Sequence, residues 1–272
     1  MTTNKNITII PTGGLCNRMR AMSSGYYLTR QDRATANILW NKNSGLNANF
    51  DDLFEPLNLP DIAVNRNQNW LFRIERTRDY IIRQMILKLR YQTIYNFSIN
   101  NQKGDITNVI DKKDRRQLLL ISCYSMCTHY PIKELFVPRA DIQQRIDGIT
   151  NSFSANTIGV HIRRTDNAES IRRSPLTSFI NILKEEVGKD ESVKFYLASD
   201  DEEVKQTLNE QFPNHIITCQ DKVNRNSLEG MRFAVIDLFC LSKTKKIIGS
   251  DYSSYSQIAA EIGGIPLEYA RK

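Results

Sequence analysis

TIGVHIRRTD, residues 157–166, is an apolar run that ends in charge. TIGVHI (157–162) is short, rich in β-branched residues and bounded by polar sequence, which predicts a buried strand. HIRRTD (161–166) begins on the last residues of that strand and carries Arg163, Arg164 and Asp166 into the loop beyond it. Ligands of open parallel sheets bind beyond the carboxyl ends of the strands, so the arginines belong at a ligand edge if the strand lies in such a sheet.

The neighbouring sequence predicts that sheet. Pro175 suits the first position of a helix through LTSFINILKEEVG (176–188), with Ser174 as its cap. KFYLAS (194–199) is the next strand, and Asp200 with Glu203 has capping-box spacing for a helix reaching about Leu208. HIITC (215–219) reads as a strand, and SLEGMRFAVIDLFCLSK (227–243) places Leu228, Met231, Val235 and Leu238 on one helical face. KIIG (246–249), a helix from about Ser254 and IPLEY (265–269) follow.

The N-terminal part opens in the same way: strand NITII (6–10), turn PTGG (11–14), helix CNRMRAMSSGYYLTR (16–30) and strand ANILW (36–40). Its middle is less regular, with FDDLF (50–54), a long basic stretch, an Asn-rich linker near 97–106 and an apolar run LLLIS (118–122). Alternating strands and helices predict an α/β chain on parallel sheets, with a lobe boundary near residue 150 that separates 1–150 from 151–272.

With 40% hydrophobic residues in a chain of 272, a substantial core is expected. Lys and Arg number 37 against 30 Asp and Glu, a net charge of +7 that points to an anionic partner without naming it. The start, MTTNKNITII, has no basic segment followed by an apolar core, and no window approaches a spanning helix, so a soluble, cytoplasmic protein is expected. Cys16, Cys123, Cys127, Cys219 and Cys240 are scattered and odd in number, as in a reducing compartment. Cys123, Cys127 and His129 lack a second ligand pair at zinc-site spacing, and no metal is expected there.

Residues 66–90 hold Arg66, Arg73, Arg76, Arg78, Arg83, Lys88 and Arg90 against Glu75 and Asp79. Leu71, Ile74, Ile81, Met85 and Leu89 recur at helical spacing, which predicts an amphipathic helix packed on the N-terminal lobe. Peripheral contact with anionic lipid, or with a lipid-linked acceptor, is a second reading of the same segment. Nucleic acid is disfavoured because interleaved aromatic clusters are lacking.

The other strand ends converge with the arginines. Guanidinium groups form paired, charge-assisted hydrogen bonds to phosphate, although a lone arginine pair beside Asp166 is equally a surface ion pair. Strand 194–199 delivers Asp200 and Asp201 to the same edge, and strand 246–249 delivers Ser250, Asp251, Ser253, Ser254 and Ser256. Hydroxyls and N–H groups at a helix start suit phosphate, whereas the plain alternatives are a helix cap for Asp200 and a turn for the serines. GGLCNRMR (13–20) follows the first strand: Gly13 and Gly14 allow a tight turn and close approach of a ligand to the backbone, and Asn17, Arg18 and Arg20 add polar and cationic groups. It is neither a P-loop nor a complete dinucleotide fingerprint.

IGVHIRRTD (158–166), FYLASDD (195–201), IIGSDYSSYSQIAAE (247–261) and GGLCNRMRAM (13–22) together resemble the fucosyltransferase superfamily that includes α1,6, α1,2 and protein O-fucosyltransferases. The HxRRTD spelling is most similar to the α1,6 branch with its bacterial nodulation enzymes. The resemblance covers residues 157–262 and one N-terminal segment and leaves most of 60–150 unmatched. It implies a GT-B fold, two Rossmann-like lobes facing a cleft, with GDP-fucose held mainly by the C-terminal nucleotide-sugar lobe and the acceptor on the N-terminal side. By carry-over Arg163 contacts the diphosphate and stabilises the leaving group, His161 and Asp200 line the guanosine site, Ser253 and Ser254 lie by the phosphates, and Asn17 reaches across the cleft. A glutamate after HxRRTD serves that branch as the proposed base, and Glu169 is the only carboxylate between Asp166 and Pro175. Members often carry a lysine where this chain has Asn167, so Arg172 or Arg173 would have to compensate, and the loop is one residue shorter.

The resemblance therefore implies an inverting transfer of fucose from GDP-fucose to a glycan or glycolipid hydroxyl, with no cofactor. Apart from the pair Asp200 and Asp201, no DxD-type motif stands at a strand end, which favours a metal-independent mechanism. Two other readings stay open: a related glycosyltransferase using another nucleotide sugar, and a catalytically silent binder of nucleotides or polyanions.

Overall fold

The computed structural model describes residues 6–66, 80–96, 117–165, 167–219 and 224–272. The chain divides into two compact units, Met1–Arg139 with Arg225–Leu228, and Ala140–Asn224 with Glu229–Lys272. The division precedes the expected boundary near residue 150 because helix Ala140–Thr150 belongs to the second unit: Ile142 and Ile146 are buried, Asp141 pairs with Arg232, and Arg145 lies 5.8 Å from the Phe233 ring centre.

In the first unit, strands β1 (Asn6–Pro11), β2 (Thr35–Trp40), β3 (Ile62–Arg66), β4 (Thr93–Asn96) and β5 (Gln117–Ser122) form one parallel sheet in the order β3-β2-β1-β5-β4. β1 and β5 are buried at every position after the first, as a parallel sheet covered on both faces requires. Helix α1 (Leu15–Gln31) follows β1, α2 (Tyr80–Arg90) precedes β4, and α3 (Ile132–Leu135) follows β5. FDDLF contains a single 3-10 turn, Phe50–Asp52, closed by an Asn49–Asp52 capping box. Its apolar residues join an aromatic cluster of Trp40, Phe50, Phe54 and Phe136. The edge strands β3 and β4 are additional to the predicted elements, since polar residues interrupt their apolar pattern. The Asn-rich linker, and Leu71, Arg73, Ile74, Arg76 and Arg78 of the basic stretch, lie outside the described residues.

In the second unit, α4 (Ala140–Thr150) leads into β6 (Thr157–Ile162), α5 (Ala168–Arg173), α6 (Leu176–Lys189), β7 (Lys194–Ser199) and α7 (Glu202–Gln211). β8 (Ile216–Thr218), α8 (Leu228–Ser242), β9 (Ile247–Gly249), α9 (Ser254–Gly263) and β10 (Leu267–Tyr269) complete it. Its strands are parallel in the order β10-β9-β6-β7-β8. Ile158, Val160 and Ile162 of β6 pack with Phe195 and Leu197 of β7, Phe179 and Leu183 of α6, and Leu208 of α7. The chain winds outward from β6 to β8 and then returns to the other side of β6 as β9. The strand order therefore reverses between β6 and β9, where a doubly wound sheet opens its ligand crevice.

Three local expectations change. Asp201, not Asp200, caps α7, accepting hydrogen bonds from Glu203 N at 2.9 Å and Val204 N at 3.4 Å. Pro175 is itself the N-cap of α6, and the Ser174 hydroxyl accepts from Asp251 N at 2.9 Å. Between the arginines and Pro175, Ala168–Arg173 is helical, and the Asn167 side chain caps it by accepting from Ser170 N at 3.1 Å. Among the described residues, no helix is long and apolar enough to cross a membrane.

Candidate functional site

The loop after β6 is wound around one carboxylate. Asp200, at the end of β7, accepts hydrogen bonds from Arg164 N at 2.7 Å, from Thr165 N at 3.3 Å and from the Thr165 hydroxyl at 2.6 Å. Its Oδ2 also lies 3.2 Å from Arg163 Nη1, with the two side chains 11% and 18% exposed. Burial pushes the Asp200 carboxyl up, but the Thr165 hydroxyl, the Arg163 guanidinium and the two backbone donors outweigh it and hold the group below the usual carboxylate range. Asp200 is thus an ionised organiser of the 163–165 loop.

The two arginines diverge. Arg163 is anchored through its backbone N–H to Ser250 Oγ at 3.0 Å, which ties the loop after β6 to the end of β9 across the switch point. Arg164 turns away from that edge: Nη1 donates to Ser174 O at 3.0 Å, and the guanidinium lies 6.0 Å from the Phe179 ring centre. Burial lowers its pKa. Arg164, expected at the ligand edge, therefore packs toward α6. Asp166 lies outside the described residues.

His161, expected to line a nucleoside site, is buried. Nδ1 lies 2.7 Å from the Ser256 hydroxyl, and the ring stacks on Tyr255 at 4.8 Å. Desolvation, reinforced by Arg163, lowers its pKa to about 3, so the imidazole is neutral. Ser256 is equally buried and serves this contact rather than an open edge. Gly249 permits it, since a Cβ there would lie 2.5 Å from the Ser256 side chain. Ser253 is the N-cap of α9, its hydroxyl accepting from Tyr255 N at 3.4 Å, and Ser254 is the first helical residue; both are partly exposed.

Between these loops runs a charged network. Glu169 accepts from Arg172 at 2.7 and 3.0 Å and from Arg173 Nε at 2.5 Å, pairs that α5 brings together at i+3 and i+4. These bonds, first to Arg172 and then to Arg173, bring its carboxyl down to about 2. Arg173 lies 4.6 Å from the Tyr252 ring centre and 3.7 Å from Asp251, which also accepts from Arg271 Nε at 3.1 Å. Asn167 donates from Nδ2 to Tyr252 O at 3.1 Å.

Tyr252 is a contributor that sequence reasoning missed, whereas Asp251 stands at the edge to which its strand assigned it. Tyr252 is exposed and sits at φ 61°, a conformation unusual for a bulky residue and common at functional edges. Its composition gives no sign of this, because backbone torsion is set by the contacts around it. Thr165 was legible only as part of HIRRTD.

In the first unit the Gly13 turn after β1 adopts φ 80°, where a side chain would be strained and a Cβ would lie 3.0 Å from Asn17 Nδ2. Gly14 has open space at that position and is the N-cap of α1. Arg18 is fully buried. Nε donates to Gly13 O at 2.7 Å, Nη1 to Asn41 O, and Nη2 to Asn43 Oδ1 at 2.7 Å. Burial lowers its pKa to about 10. Arg18, expected to face a ligand, is instead the internal brace of the glycine turn. Asn17 is partly exposed beside that turn.

No family model matches the sequence, and no curated relative does. Solved structures do match. NodZ from Bradyrhizobium, an α-1,6-fucosyltransferase also crystallised with GDP, aligns at TM-score 0.63 and 19% identity over 95% of this chain and 92% of that one. This chain shares its fold. A point variant of Arabidopsis thaliana FUT1 in complex with GDP aligns at TM-score 0.57 and 12% identity, covering 98% of this chain and 70% of the other. POFUT1 in complex with GDP gives 0.57 and 11%, covering 99% of each. The architecture is therefore GT-B-like, with two Rossmann-like lobes, each on its own parallel sheet, five-stranded among the described residues.

Proposed function

We propose that the chain is a glycosyltransferase that moves fucose from GDP-fucose to a hydroxyl of a glycan or glycolipid, with inversion at the anomeric carbon. In this reading the second unit binds the donor and the first unit, with Gly13, Gly14 and Asn17, serves the acceptor side. The observation that carries it is the Arg163 loop, organised by Asp200 and tied to Ser250 at the reversal of strand order. The fold shared with solved fucosyltransferases supports the donor class.

The acceptor oxygen attacks the anomeric carbon, a carbon–oxygen bond forms, and the bond from that carbon to the diphosphate breaks. Negative charge grows on the leaving phosphate oxygen. Arg163, held in place before the reaction, stabilises that charge, and the N–H groups at the start of α9 with Ser253 and Ser254 add to it. These groups supply positive charge without a metal ion, which is why we assign a metal-independent route. The acceptor proton passes to Glu169, which its two arginines keep ionised at every working pH. Those arginines also weaken it as a base, which favours a second reading in which Glu169 only orders α5.

Thermal denaturation tests the donor class. GDP and GDP-fucose, with EDTA present, are expected to raise the melting temperature more than UDP or CMP do. A ligand at 100 times its dissociation constant adds about 2.7 kcal/mol, an easily measured shift. Equal or larger shifts with UDP-sugars would exclude the fucose donor, and a shift that required divalent metal would exclude the metal-free route.

A further inference from the structure

Helix α2 leaves its apolar stripe in water. Ile81, Ile82, Met85 and Leu89 are 72, 57, 62 and 88% exposed, whereas Leu87 is buried against Ile10, Leu39, Leu119 and Ile121 of the first sheet. Ile81, Met85 and Leu89 recur every fourth residue and so share one side of the helix. A stripe of this kind needs an occupant.

Charge identifies it. No acidic residue occurs in Tyr80–Arg90, and Lys88 and Arg90 are exposed at its C-terminal turn. Of the three basic residues in the helix, Arg83 is buried, and Lys88 and Arg90 give its exposed side a positive charge. Eleven residues of helix are too short to span a bilayer but long enough to lie in its interface, apolar side chains among the acyl chains and cations among the headgroups. We propose that α2 docks the first unit on a membrane surface carrying anionic lipid. The inference stands apart from the donor reading, because it rests on no residue of the second unit.

The test is sedimentation of the full chain with vesicles of phosphatidylcholine, with or without phosphatidylglycerol. Binding is expected on the anionic vesicles and at least about tenfold weaker on neutral ones, with the difference collapsing at high salt. The double variant Met85→Ser and Leu89→Ser should bind at least about tenfold less, with an unchanged melting temperature because both side chains are exposed. Lys88→Glu should weaken binding about fivefold or more, and it tests the cationic half if the double variant does not fold. Both variants should keep their GDP-induced thermal shift. No binding, equal binding to neutral vesicles, or undiminished binding by the variants would overturn the proposal. So would a wild-type dimer that the double variant dissolves, since a second copy would then be the occupant.

Discussion

At the carboxyl end of β6, Asp200 draws two backbone N–H groups, one hydroxyl and a guanidinium onto one carboxylate, which leaves Arg163 little freedom. A group fixed before the reaction does not have to be reoriented as charge develops, and this is the basis for expecting a large effect from its removal. Arg163→Ala, and also Arg163→Lys, should lower turnover at least about 100-fold, since a point charge does not replace a planar fork of donors. Wild-type rates in a folded Arg163→Ala protein would remove this residue from the reaction. Glu169 calls for a paired measurement because two roles compete for it. As the base, Glu169→Gln should lose transfer by about 100-fold to 10,000-fold while GDP affinity stays normal. As an ordering carboxylate for α5, it should instead lose stability and GDP affinity together, and near-normal transfer would exclude the base. With the carboxyl at about 2, the base reading also requires no acid limb from this group in the pH–rate profile above about pH 4.

At the scale of elements, the contact of β6 with α9 makes a further claim about pH. His161 sits between Ser256 and Tyr255 of that helix, and burial keeps its folded pKa near 3, below the value of about 6.5 for an unperturbed imidazole. The unfolded chain thus binds a proton more readily than the folded one. The neutral ring's stabilisation is complete above about pH 6.5 and is lost as the pH falls from there toward 3, at about 1.4 kcal/mol per pH unit. Denaturant titrations of wild type and His161→Asn should therefore converge as the pH is lowered through that window. Parallel stability profiles would show that His161 is not the neutral pivot of this contact. Such elements were legible to different degrees. β1, β5, β6 and β7 are continuous apolar runs and were read within a residue or so of their ends. β3 and β4 are edge strands with mixed faces, and α5 is a helix of six residues whose start depends on the Asn167 cap, so neither carries a strong periodic signal.

For the whole molecule, local pattern determined which stretches become strands and helices, that strand and helix alternate, and that HIRRTD emerges from a strand end. Buried parallel strands are apolar along their full length, and this survives in sequence without knowledge of any partner. The resemblance of the spaced motifs to fucosyltransferases anticipated the GT-B-like architecture for the same reason: the motifs are strand ends. Tertiary structure alone decided how like residues divide their labour. Arg163 and Arg164 are adjacent and chemically identical, yet Asp200 holds one near the edge and Ser174 draws the other toward α6. Arg18 and the Gly13 turn lie five residues apart, but only the approach of Asn41 and Asn43 makes that arginine an internal brace. Direction, burial and charge state depend on groups 10 to 90 residues distant in the chain, as Ser174 is from Arg164 and Ser250 from Arg163. Composition and spacing record which groups a segment contains, whereas the fold determines which acceptor each donor meets.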